Sequence, residues 1–347
     1  MTLRADDLVE AGLVAPERLD EVRRVAEQFA VALTDDVADL IDPADPADPI
    51  AAQFVPSAAE LDPADDEIAD PVGDERWSPV PGIVHRHPDR ALLKPSLLCP
   101  VYCRFCFRRE QIGATGAVLD AAALARAYAY IGEHPEIWEV IVTGGDPLLL
   151  APRRIALMVD ALAAIEHVQV IRFHSRVPVV EPRRVGAALV KALDAEKAVY
   201  VVIHANHPRE LTGEVRAAVA RLVRGGIPVL SQSVLLRGVN DDAAVLEDLF
   251  RMLVAIRVKP YYLHHPDLAR GTERFRGTIA RGQALMRELR RRASGLCQPT
   301  YVLDIPGGHG KVPVGPAWLH RAEDGGGWLV EDGRGVCHAY RDPDTHR

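Results

Sequence analysis

The sequence lacks the long apolar runs and the basic excess that mark several classes of protein. No stretch approaches the ~20 apolar residues of a membrane span, and the acidic start MTLRADDLVEAGLV does not resemble a signal peptide. A formal net charge of −8 argues against a nucleic-acid-binding surface. We therefore expect a cytoplasmic protein whose partners are neither membranes nor nucleic acids.

Cysteine is also scarce, and the count of five is an odd number, which no closed set of disulfides uses up. Three of the five, Cys99, Cys103 and Cys106, lie within the segment LLCPVYCRFCFRRE. Free cysteines usually pack singly, so three in eight positions indicate metal binding more than unrelated burial. In a reducing compartment disulfides are the less favoured explanation.

The spacing of the three cysteines, C-x3-C-x2-C, narrows the choice of metal. A structural zinc site usually has four ligands and paired C-x2-C knuckles, whereas Cys297 and Cys337 stand alone in this sequence. Three thiolates on one short loop can instead hold three irons of a 4Fe-4S cluster and leave the fourth iron without a protein ligand. The arginines around the cysteines suit an anionic cofactor or substrate.

From Ala91 onward, short apolar runs alternate with helical stretches, which is the pattern of a parallel α/β sheet. Six such units are too few for an eight-stranded barrel, so the pattern predicts a partial (β/α)6 barrel of the TIM type or an open sheet. The predicted strands are 91–94, 139–143, 168–173, 199–204, 227–232 and 258–263, and the predicted helices are 120–134, 152–165, 182–195, 212–224 and 242–255.

The two ends of the chain differ from this core. Helical periodicity from Leu8 to Leu33, followed by the acidic run LIDPADPADPIAAQF, predicts an N-terminal helical arm with linkers over residues 1–75. The segment GGGWLVEDGRGVCHAY predicts a β-hairpin that turns near Gly333–Gly335 in a C-terminal extension, residues 312–347. The barrel core would then cover residues 76–311.

Polar residues follow all six predicted strands, which ordinary scattered turn residues do not explain. In barrel-type folds the carboxyl ends of the strands carry the chemistry, so we expect these residues to line one site. After the cysteines they are Gly144, Gly145 and Asp146, then His174, Ser175 and Arg176, then His204, Asn206 and His207, then Gln232 and Asn240, and last His264, His265 and Asp267.

A second candidate lies in the glycine-rich segment YVLDIPGGHGKVP. There the amine of Lys311 could reach a carbonyl cofactor, although an arbitrary loop lysine is more often only solvated. The segment is not a nucleotide-binding P-loop, because Ile305 and Val312 stand where that pattern needs glycine and a hydroxyl residue.

The sequence around the cysteines closely resembles the radical S-adenosylmethionine (SAM) superfamily. The resemblance implies a 4Fe-4S cluster whose open iron binds the amino and carboxylate groups of SAM. It also implies that the loop VTGGDPL, through Gly144, Gly145 and Asp146, meets the methionine amino group. Glycines after a strand often only form a turn. Here, however, the cysteine motif and the glycine loop both occur, in the order that the superfamily shows.

Further segments resemble one family of that superfamily, lysine 2,3-aminomutase. They are HRHPDRALL, SRVPVV, HANHP, QSVLLRGVND, RVKPYYLHHPDLARGTERFR and the Lys311 loop, from about Asp48 to Lys311 and beyond. The resemblance implies that Lys311 carries pyridoxal 5′-phosphate and that Arg86 and Arg90 lie near it. It also implies a flavodoxin- or ferredoxin-type reductant as a partner.

The same resemblance assigns the substrate and SAM contacts. His204 and Gln232 match residues that line the SAM site, and Arg108 matches the arginine that holds the substrate carboxylate. Asp267 and Asp304 match two aspartates that bind the distal ammonium of lysine, and the related glutamate enzyme lacks that pair. Two facing carboxylates need a cation between them, although aspartate is also a common capping residue.

Several positions depart from the family pattern. His309 interrupts the glycines before Lys311, and His264 and His265 stand in the predicted substrate pocket where other residues are typical. The C-terminal cysteine tail that joins subunits through zinc is absent, and Asp242 stands where its partner cysteine would be. We therefore expect any homo-oligomer to form without a zinc staple.

These observations predict an isomerase that moves the α-amino group of L-lysine to C3, giving β-lysine. One alternative keeps this chemistry but changes the substrate to another α-amino acid, or has the enzyme serve β-lysylation of elongation factor P. The alternative of another class is a non-catalytic iron–sulfur protein for electron transfer or sensing. An electron carrier, however, has no use for an open iron, a cofactor-binding lysine and a substrate arginine together.

Overall fold

The computed structural model describes residues 2–113, 118–322, 327–341 and 343. The N-terminal segment contains β1 (Thr2–Leu3), α1 (Asp7–Glu10), α2 (Leu19–Gln28), β2 (Leu33–Thr34), α3 (Asp35–Ala38) and α4 (Pro49–Phe54). The central part contains β3 (Ile83–His87), β4 (Arg90–Ser96), α5 (Ala121–Gly132), β5 (Glu139–Gly144), α6 (Pro152–Ala163), β6 (Val170–Ser175), α7 (Val177–Val180), α8 (Ala187–Ala192), β7 (Ala198–His204), α9 (Gly213–Arg224), β8 (Val229–Val234), α10 (Ala243–Ala255), β9 (Val258–His264), α11 (Ile279–Arg292), β10 (Thr300–Asp304) and β11 (Lys311–Pro313). The C-terminal part contains β12 (Leu319–Arg321), β13 (Trp328–Glu331) and β14 (Cys337–Tyr340).

The central strands form one nine-stranded sheet in the order β11-β10-β9-β8-β7-β6-β5-β4-β3. Strands β4 to β10 are parallel, while β3 and β11 pair antiparallel with the two outer parallel strands. The sheet curls into a half-barrel, so the predicted partial barrel is confirmed. Because parallel strands share one direction, their carboxyl ends and the loops that follow them lie at one end of the barrel.

The two faces of the sheet differ in chemistry, as side-chain alternation along a strand requires. On β6, Ile171 and Phe173 are fully buried on the outer face, where helices cover the sheet. Arg172 and His174 alternate with them and therefore lie on the inner face. A barrel lined by charged and polar side chains is built to hold polar ligands.

The structure contains more strands and helices in this sheet than the sequence pattern predicts. The six predicted strands are confirmed as β4 to β9, and β10 adds a seventh parallel strand, with β3 and β11 at the edges. Helix α11, which leads to β10, was also missed. Strand β10 has only five residues and runs directly into the glycine-rich segment, so the whole stretch was interpreted as a loop.

Two predicted helices are interrupted. Residues 182–195 form a short 3-10 turn, Pro182–Arg184, and the separate helix α8, because Val185 and Gly186 leave helical geometry. The periodicity from Leu8 to Leu33 corresponds to α1 and α2, which Gly12 (φ +68°) and Pro16 separate.

The N-terminal segment packs into the same hydrophobic cluster as the barrel. Leu8, Val22, Leu33 and Phe54 are buried in it together with residues from the strands and outer helices. The division of the chain after residues 75 and 311 stays a prediction. Among the helices that the structure describes, none is both long and apolar enough to cross a bilayer.

The predicted C-terminal hairpin is present as β13 and β14, which pair antiparallel across a turn at residues 332–336. Strand β12, which was not predicted, pairs with β13 and completes a three-stranded sheet. Arg287 of α11 contacts Glu331 of β13 at 3.2 Å, which ties this small sheet to the barrel.

Candidate active site

The predicted cluster ligands lie in the cysteine loop, residues 97–109, which follows β4. Cys99, Cys103 and Cys106 are half-buried and line one pocket. Burial raises the pKa of Cys99 well above its usual value and, with the charge of Cys103, raises that of Cys106 to about 11. The thiols of Cys99 and Cys106 therefore keep their protons until a cation replaces them. The three sulfurs around one pocket suit a metal centre.

Arg104 and Arg109 line this pocket, and Arg176, directly after β6, contacts one of its cysteines. Its Nη1 donates to Cys103 Sγ at 2.8 Å, and its Nη2 donates to Gln53 Oε1 at 2.7 Å and Glu210 Oε2 at 2.8 Å. Arg176 had been singled out only as a polar residue after a strand. Gln53 and Glu210 were missed, because nothing in their local sequence shows that they converge on one guanidinium.

Gly144 and Gly145 bring the end of β5 against the cysteine loop. Gly145 N donates to Ser96 O at 2.8 Å, and a side chain at Gly145 would place its Cβ 2.3 Å from Leu98 O. Gly144 has a φ of +107°, which side-chain-bearing residues rarely adopt. The backbone therefore requires glycine at both positions, independently of any contact with SAM.

Asp146 has both carboxylate oxygens engaged by the protein. Oδ1 accepts from Ser175 Oγ at 2.7 Å, and Oδ2 accepts from the backbone N–H groups of Arg176 at 2.6 Å and Val177 at 2.9 Å. Asp146 therefore fixes the loop after β6 and with it the backbone of Arg176. Any effect of Asp146 on a bound ligand would act through this loop.

His204 and Gln232 are register partners on β7 and β8, so they are neighbours at the same height of the barrel. His204 Nε2 lies 3.1 Å from Asn206 Oδ1, and its ring centroid lies 5.6 Å from that of Phe105 in the cysteine loop. Burial, with the charge of Arg176, lowers the pKa of His204 well below its usual value, which leaves the imidazole neutral at pH 7. The structure thus brings both predicted SAM residues close to the cysteine loop.

Lys311 begins β11 and faces Asp304 of β10 in register. Its Nζ donates to Asp304 Oδ2, lies 3.1 Å from His264 Nδ1 and lies 5.6 Å from the centre of the Tyr262 ring. Burial lowers the pKa of Lys311, and the charge of Asp304 opposes this shift only in part. A buried amine of lowered pKa is a better nucleophile toward a carbonyl group than a solvated lysine.

The turn before Lys311 depends on its glycines but not on position 309. Gly307, Gly308 and Gly310 all have φ between +81° and +95°. His309 is exposed and does not have a positive φ, so its side chain interrupts the glycine run without strain. Gly307 N donates to Pro71 O at 2.9 Å, which holds this turn against the N-terminal segment.

The two predicted ammonium-binding aspartates differ in charge state. Burial and the charge of Asp304 raise the pKa of Asp267 to about 7. Burial of Asp304 would raise its pKa too, but the hydrogen bond with His264 and the charge of Lys311 outweigh it and hold the pKa far below the usual value. In this structure the ammonium of Lys311 is the cation beside the two carboxyl groups.

Arg108, the predicted substrate-carboxylate residue, lies behind the cysteines and is nearly buried. Its Nε donates to Asp74 Oδ2 at 2.8 Å, and the same oxygen accepts from Lys94 Nζ at 3.3 Å. Within the described part of the chain, Nη1 and Nη2 of Arg108 form no hydrogen bond, which leaves both for a ligand. Asp74, which the sequence did not point to, orients this guanidinium.

The two predicted pyridoxal residues lie on the β3–β4 hairpin. Arg86 donates from Nη1 to Val72 O, while Arg90, at the start of β4, donates to Asp89 Oδ1 at 2.7 Å. Arg90 is thus at the opposite end of β4 from the cysteine loop. The predicted pyridoxal and cluster sites would occupy different depths of one barrel.

Several buried polar atoms near Lys311 have no hydrogen-bond partner among the described residues. They are Asp74 Oδ1, Trp77 Nε1, Arg86 Nε, His174 Nε2 and His264 Nε2. Unpaired buried polar atoms are rare because each costs about 1–3 kcal/mol. Their presence in the barrel is consistent with a polar cofactor, such as one with a phosphate and a ring nitrogen.

Comparison with known proteins agrees with this arrangement. Residues 93–249 match the model of the Radical SAM superfamily. The chain is 40% identical over 333 residues to L-lysine 2,3-aminomutase of Acetoanaerobium sticklandii, covering 96% of this chain and 80% of that protein. It is 38% identical to L-lysine 2,3-aminomutase of Clostridium subterminale, covering 94% and 78%.

A relative with another substrate name also matches, namely glutamate 2,3-aminomutase of Clostridioides difficile, at 35% identity over 90% of this chain and 74% of that protein. Among solved structures, Streptococcus suis SuiB matches with a TM-score of 0.46 and 12% identity, over 62% of this chain and 49% of that chain.

Proposed function

Since the chain belongs to the lysine 2,3-aminomutase family of radical SAM enzymes, we propose that it converts L-lysine to β-lysine with a 4Fe-4S cluster, SAM and pyridoxal 5′-phosphate. Radical aminomutases are isomerases, so the predicted enzyme class is confirmed and the non-catalytic alternative is set aside. The observation that carries the proposal is the half-buried amine of Lys311 beside Asp304, in a barrel whose mouth holds three cysteines.

The cysteine loop supplies the ligand set for the cluster. Cys99, Cys103 and Cys106 offer three sulfurs, and three sulfurs leave one iron of a 4Fe-4S cluster open for SAM. Arg176 donates a hydrogen bond to Cys103 Sγ at 2.8 Å, which holds this side chain in place beside a positive charge. His204, neutral and next to the cysteine loop, and Gln232 would line the SAM pocket without adding charge.

Lys311, Arg86 and Arg90 would hold pyridoxal phosphate deeper in the barrel. When bound, the cluster and SAM supply the radical, and pyridoxal phosphate supplies the carbonyl group that takes the migrating amino group. The chain positions these groups and excludes water. Arg86 and Arg90 would neutralise the phosphate, and the unpaired Nε of Arg86 supports this role.

Arg108, Asp267 and Asp304 would select the substrate. The two open guanidinium nitrogens of Arg108 suit a carboxylate, held in place by the contact of its Nε with Asp74. Asp304 already binds an ammonium, that of Lys311, with Asp267 nearby. A lysine substrate would offer its distal ammonium to these two carboxyl groups.

An anaerobic assay tests the proposal most directly. The purified chain, with reconstituted cluster, SAM, pyridoxal phosphate and dithionite in place of a flavodoxin or ferredoxin, receives lysine, glutamate or alanine in separate reactions. We expect β-lysine from lysine, identified by mass spectrometry after derivatisation, and little product from the others. Turnover of glutamate without turnover of lysine would overturn the substrate assignment but keep the reaction class.

A further inference from the structure

The edge strand β3 carries a group of metal-binding side chains outside the proposed active site. His85 lies in β3, and His134 and Glu136 lie in the turn after α5. One ligand atom from each of the three lies within 4.8 Å of the other two. The rings of His85 and His134 meet edge to face with centroids 5.6 Å apart. No step of the proposed reaction uses any of these residues.

Tyr130 of α5 orients both imidazoles. His85 Nδ1 lies 2.9 Å from the Tyr130 hydroxyl, and His134 Nδ1 lies 2.6 Å from the Tyr130 carbonyl oxygen. The Tyr130 ring also stacks on the His134 ring at 3.9 Å. Histidines that bind metals almost always use the second ring nitrogen for such a hydrogen bond, which fixes the ring and its tautomer. Because Nδ1 of each ring contacts Tyr130, Nε2 is the nitrogen that can bind a metal.

We propose that His85, His134 and Glu136 bind one divalent transition-metal ion, with zinc the favoured ion. Two imidazoles and one carboxylate suit zinc, whereas magnesium and calcium prefer sites made of oxygen ligands. Both histidines are half-buried and Glu136 is exposed, so water can supply the fourth ligand.

The ion would join the edge strand β3 to the end of α5. Residues 55–82, which precede β3 and are all described, contain 3-10 turns but no α-helix or β-strand. Among the described strands, β3 pairs with β4 alone. An ion that binds only the folded chain would stabilise this edge.

Zinc binding is measured on the full chain with its cluster reconstituted, so that the cluster cysteines are occupied. We expect one zinc per chain by competition with a chromophoric chelator. X-ray absorption at the zinc edge should show nitrogen or oxygen ligands at about 2.0–2.1 Å and no sulfur at about 2.3 Å. Sulfur ligands, or no zinc retained, would overturn the proposal.

Variants identify the ligands. Glu136→Gln, at an exposed position that should not affect folding, and His134→Ala should each weaken zinc binding at least tenfold. Tyr130→Phe keeps the ring on His134 but removes the hydroxyl beside His85, and loss of such a partner typically costs about 10–100-fold in metal affinity.

The matched control is His338→Ala, an exposed histidine of the C-terminal sheet. Zinc should raise the Tm of the wild type and of this control, but not that of Glu136→Gln. Equal zinc affinity in the wild type and in both Glu136→Gln and His134→Ala would rule out this site.

Discussion

At the scale of single residues, the half-buried amine of Lys311 shows how neighbours set the chemistry of a side chain. Asp304 accepts a hydrogen bond from the Lys311 ammonium and His264 lies 3.1 Å away, yet burial still lowers the pKa of Lys311. The amine is therefore held in place and loses its proton more readily than a solvated lysine. Both features suit a lysine that must bind, and later release, a carbonyl cofactor.

Replacement of Lys311 by Ala tests this role. Borohydride should fix pyridoxal phosphate on Lys311 in the wild type and on no residue in the variant, while the iron content stays the same. The matched control is Lys191→Ala, an exposed lysine in the last turn of α8 that should leave labelling unchanged. Recovery of the reduced pyridoxyl group on another lysine of the wild type would show that the site is misassigned.

Substrate choice should separate Asp304 from Arg108. If Asp304 holds the distal ammonium, Asp304→Asn should raise the KM for lysine about 10–100-fold, since a charge-assisted hydrogen bond contributes about 1.5–3 kcal/mol. Arg108→Lys should lower kcat/KM to a similar extent for all α-amino acid substrates, because lysine cannot make the two hydrogen bonds that arginine makes with their shared carboxylate. Steady-state kinetics with lysine and alanine give the comparison. Equal losses for both substrates in Asp304→Asn would indicate that this aspartate is structural.

The pKa of Asp267, about 7, makes a prediction for stability against pH. The folded chain binds the Asp267 proton more tightly than the unfolded chain does, so this group favours folding below pH 4. That contribution is lost as pH rises through about 7. In the cofactor-free protein, the wild type should lose about 2–4 kcal/mol of folding stability in this way, and Asp267→Asn should not.

Urea unfolding of the wild type and Asp267→Asn between pH 4 and 8 measures the difference. The free energy of unfolding of the variant, relative to that of the wild type, should increase as pH rises across that range. A difference in free energy of unfolding that stays constant at all pH values would contradict the raised pKa of Asp267.

At the scale of elements, the contact between the β5 loop and the cysteine loop decides where the cluster ligands lie. Asp146 N donates to Leu98 O at 2.8 Å, next to the bond from Gly145 N to Ser96 O. The two loops follow neighbouring parallel strands, so the register of β4 and β5 brings them together. This contact leaves no room for a side chain at Gly145.

Gly145→Ala should therefore destabilise the fold by about 1–3 kcal/mol, the usual cost of overpacking. It should also lower the iron content after reconstitution, because the backbone around Cys99 must move. Gly213→Ala, in the first turn of α9, is the control: nothing lies within 4 Å of its added Cβ. Denaturant unfolding and iron analysis measure both variants. Full cluster loading in Gly145→Ala would show that the loops tolerate separation.

At the scale of the whole molecule, Glu60 joins three distant parts of the chain. Its carboxylate accepts from Arg104 and Arg109 of the cysteine loop and lies 3.5 Å from Arg274, between β9 and α11. Burial would raise the pKa of Glu60, but the charges of these arginines, Arg104 first, outweigh it and lower the pKa. The N-terminal segment thus holds the cysteine loop in place through one buried carboxylate.

Glu60→Gln keeps the shape of the side chain but leaves the buried arginines without a counter-charge. We expect a loss of about 3–5 kcal/mol in the free energy of unfolding, the usual result of breaking a buried ion pair. Asp6→Asn, which removes the exposed ion pair with Arg23, is the control and should change stability by less than about 1 kcal/mol. Urea titration of the full chain measures both. A loss below 1 kcal/mol for Glu60→Gln would mean that water reaches these arginines.

The features that could be predicted from the sequence are those encoded by local patterns. Alternating apolar runs predicted six barrel strands, and the cysteine spacing with the Gly144 loop predicted the radical SAM relationship. These signals are local because strand burial, metal-ligand spacing and tight turns each depend on residues close in sequence. They also sufficed for the family, since the motifs occur in a fixed order along the chain.

Contacts between residues of distant segments could not be predicted and are seen only in the folded chain. The contacts of Arg176 with Gln53 and Glu210, of Arg108 with Asp74, and of Glu60 with three arginines join positions far apart in the chain. No local pattern marks such partners, because a buried charge needs a counter-charge but does not specify where in the sequence it lies. Strand β10 was missed for a related reason: its five residues become a strand by pairing with β9 and β11.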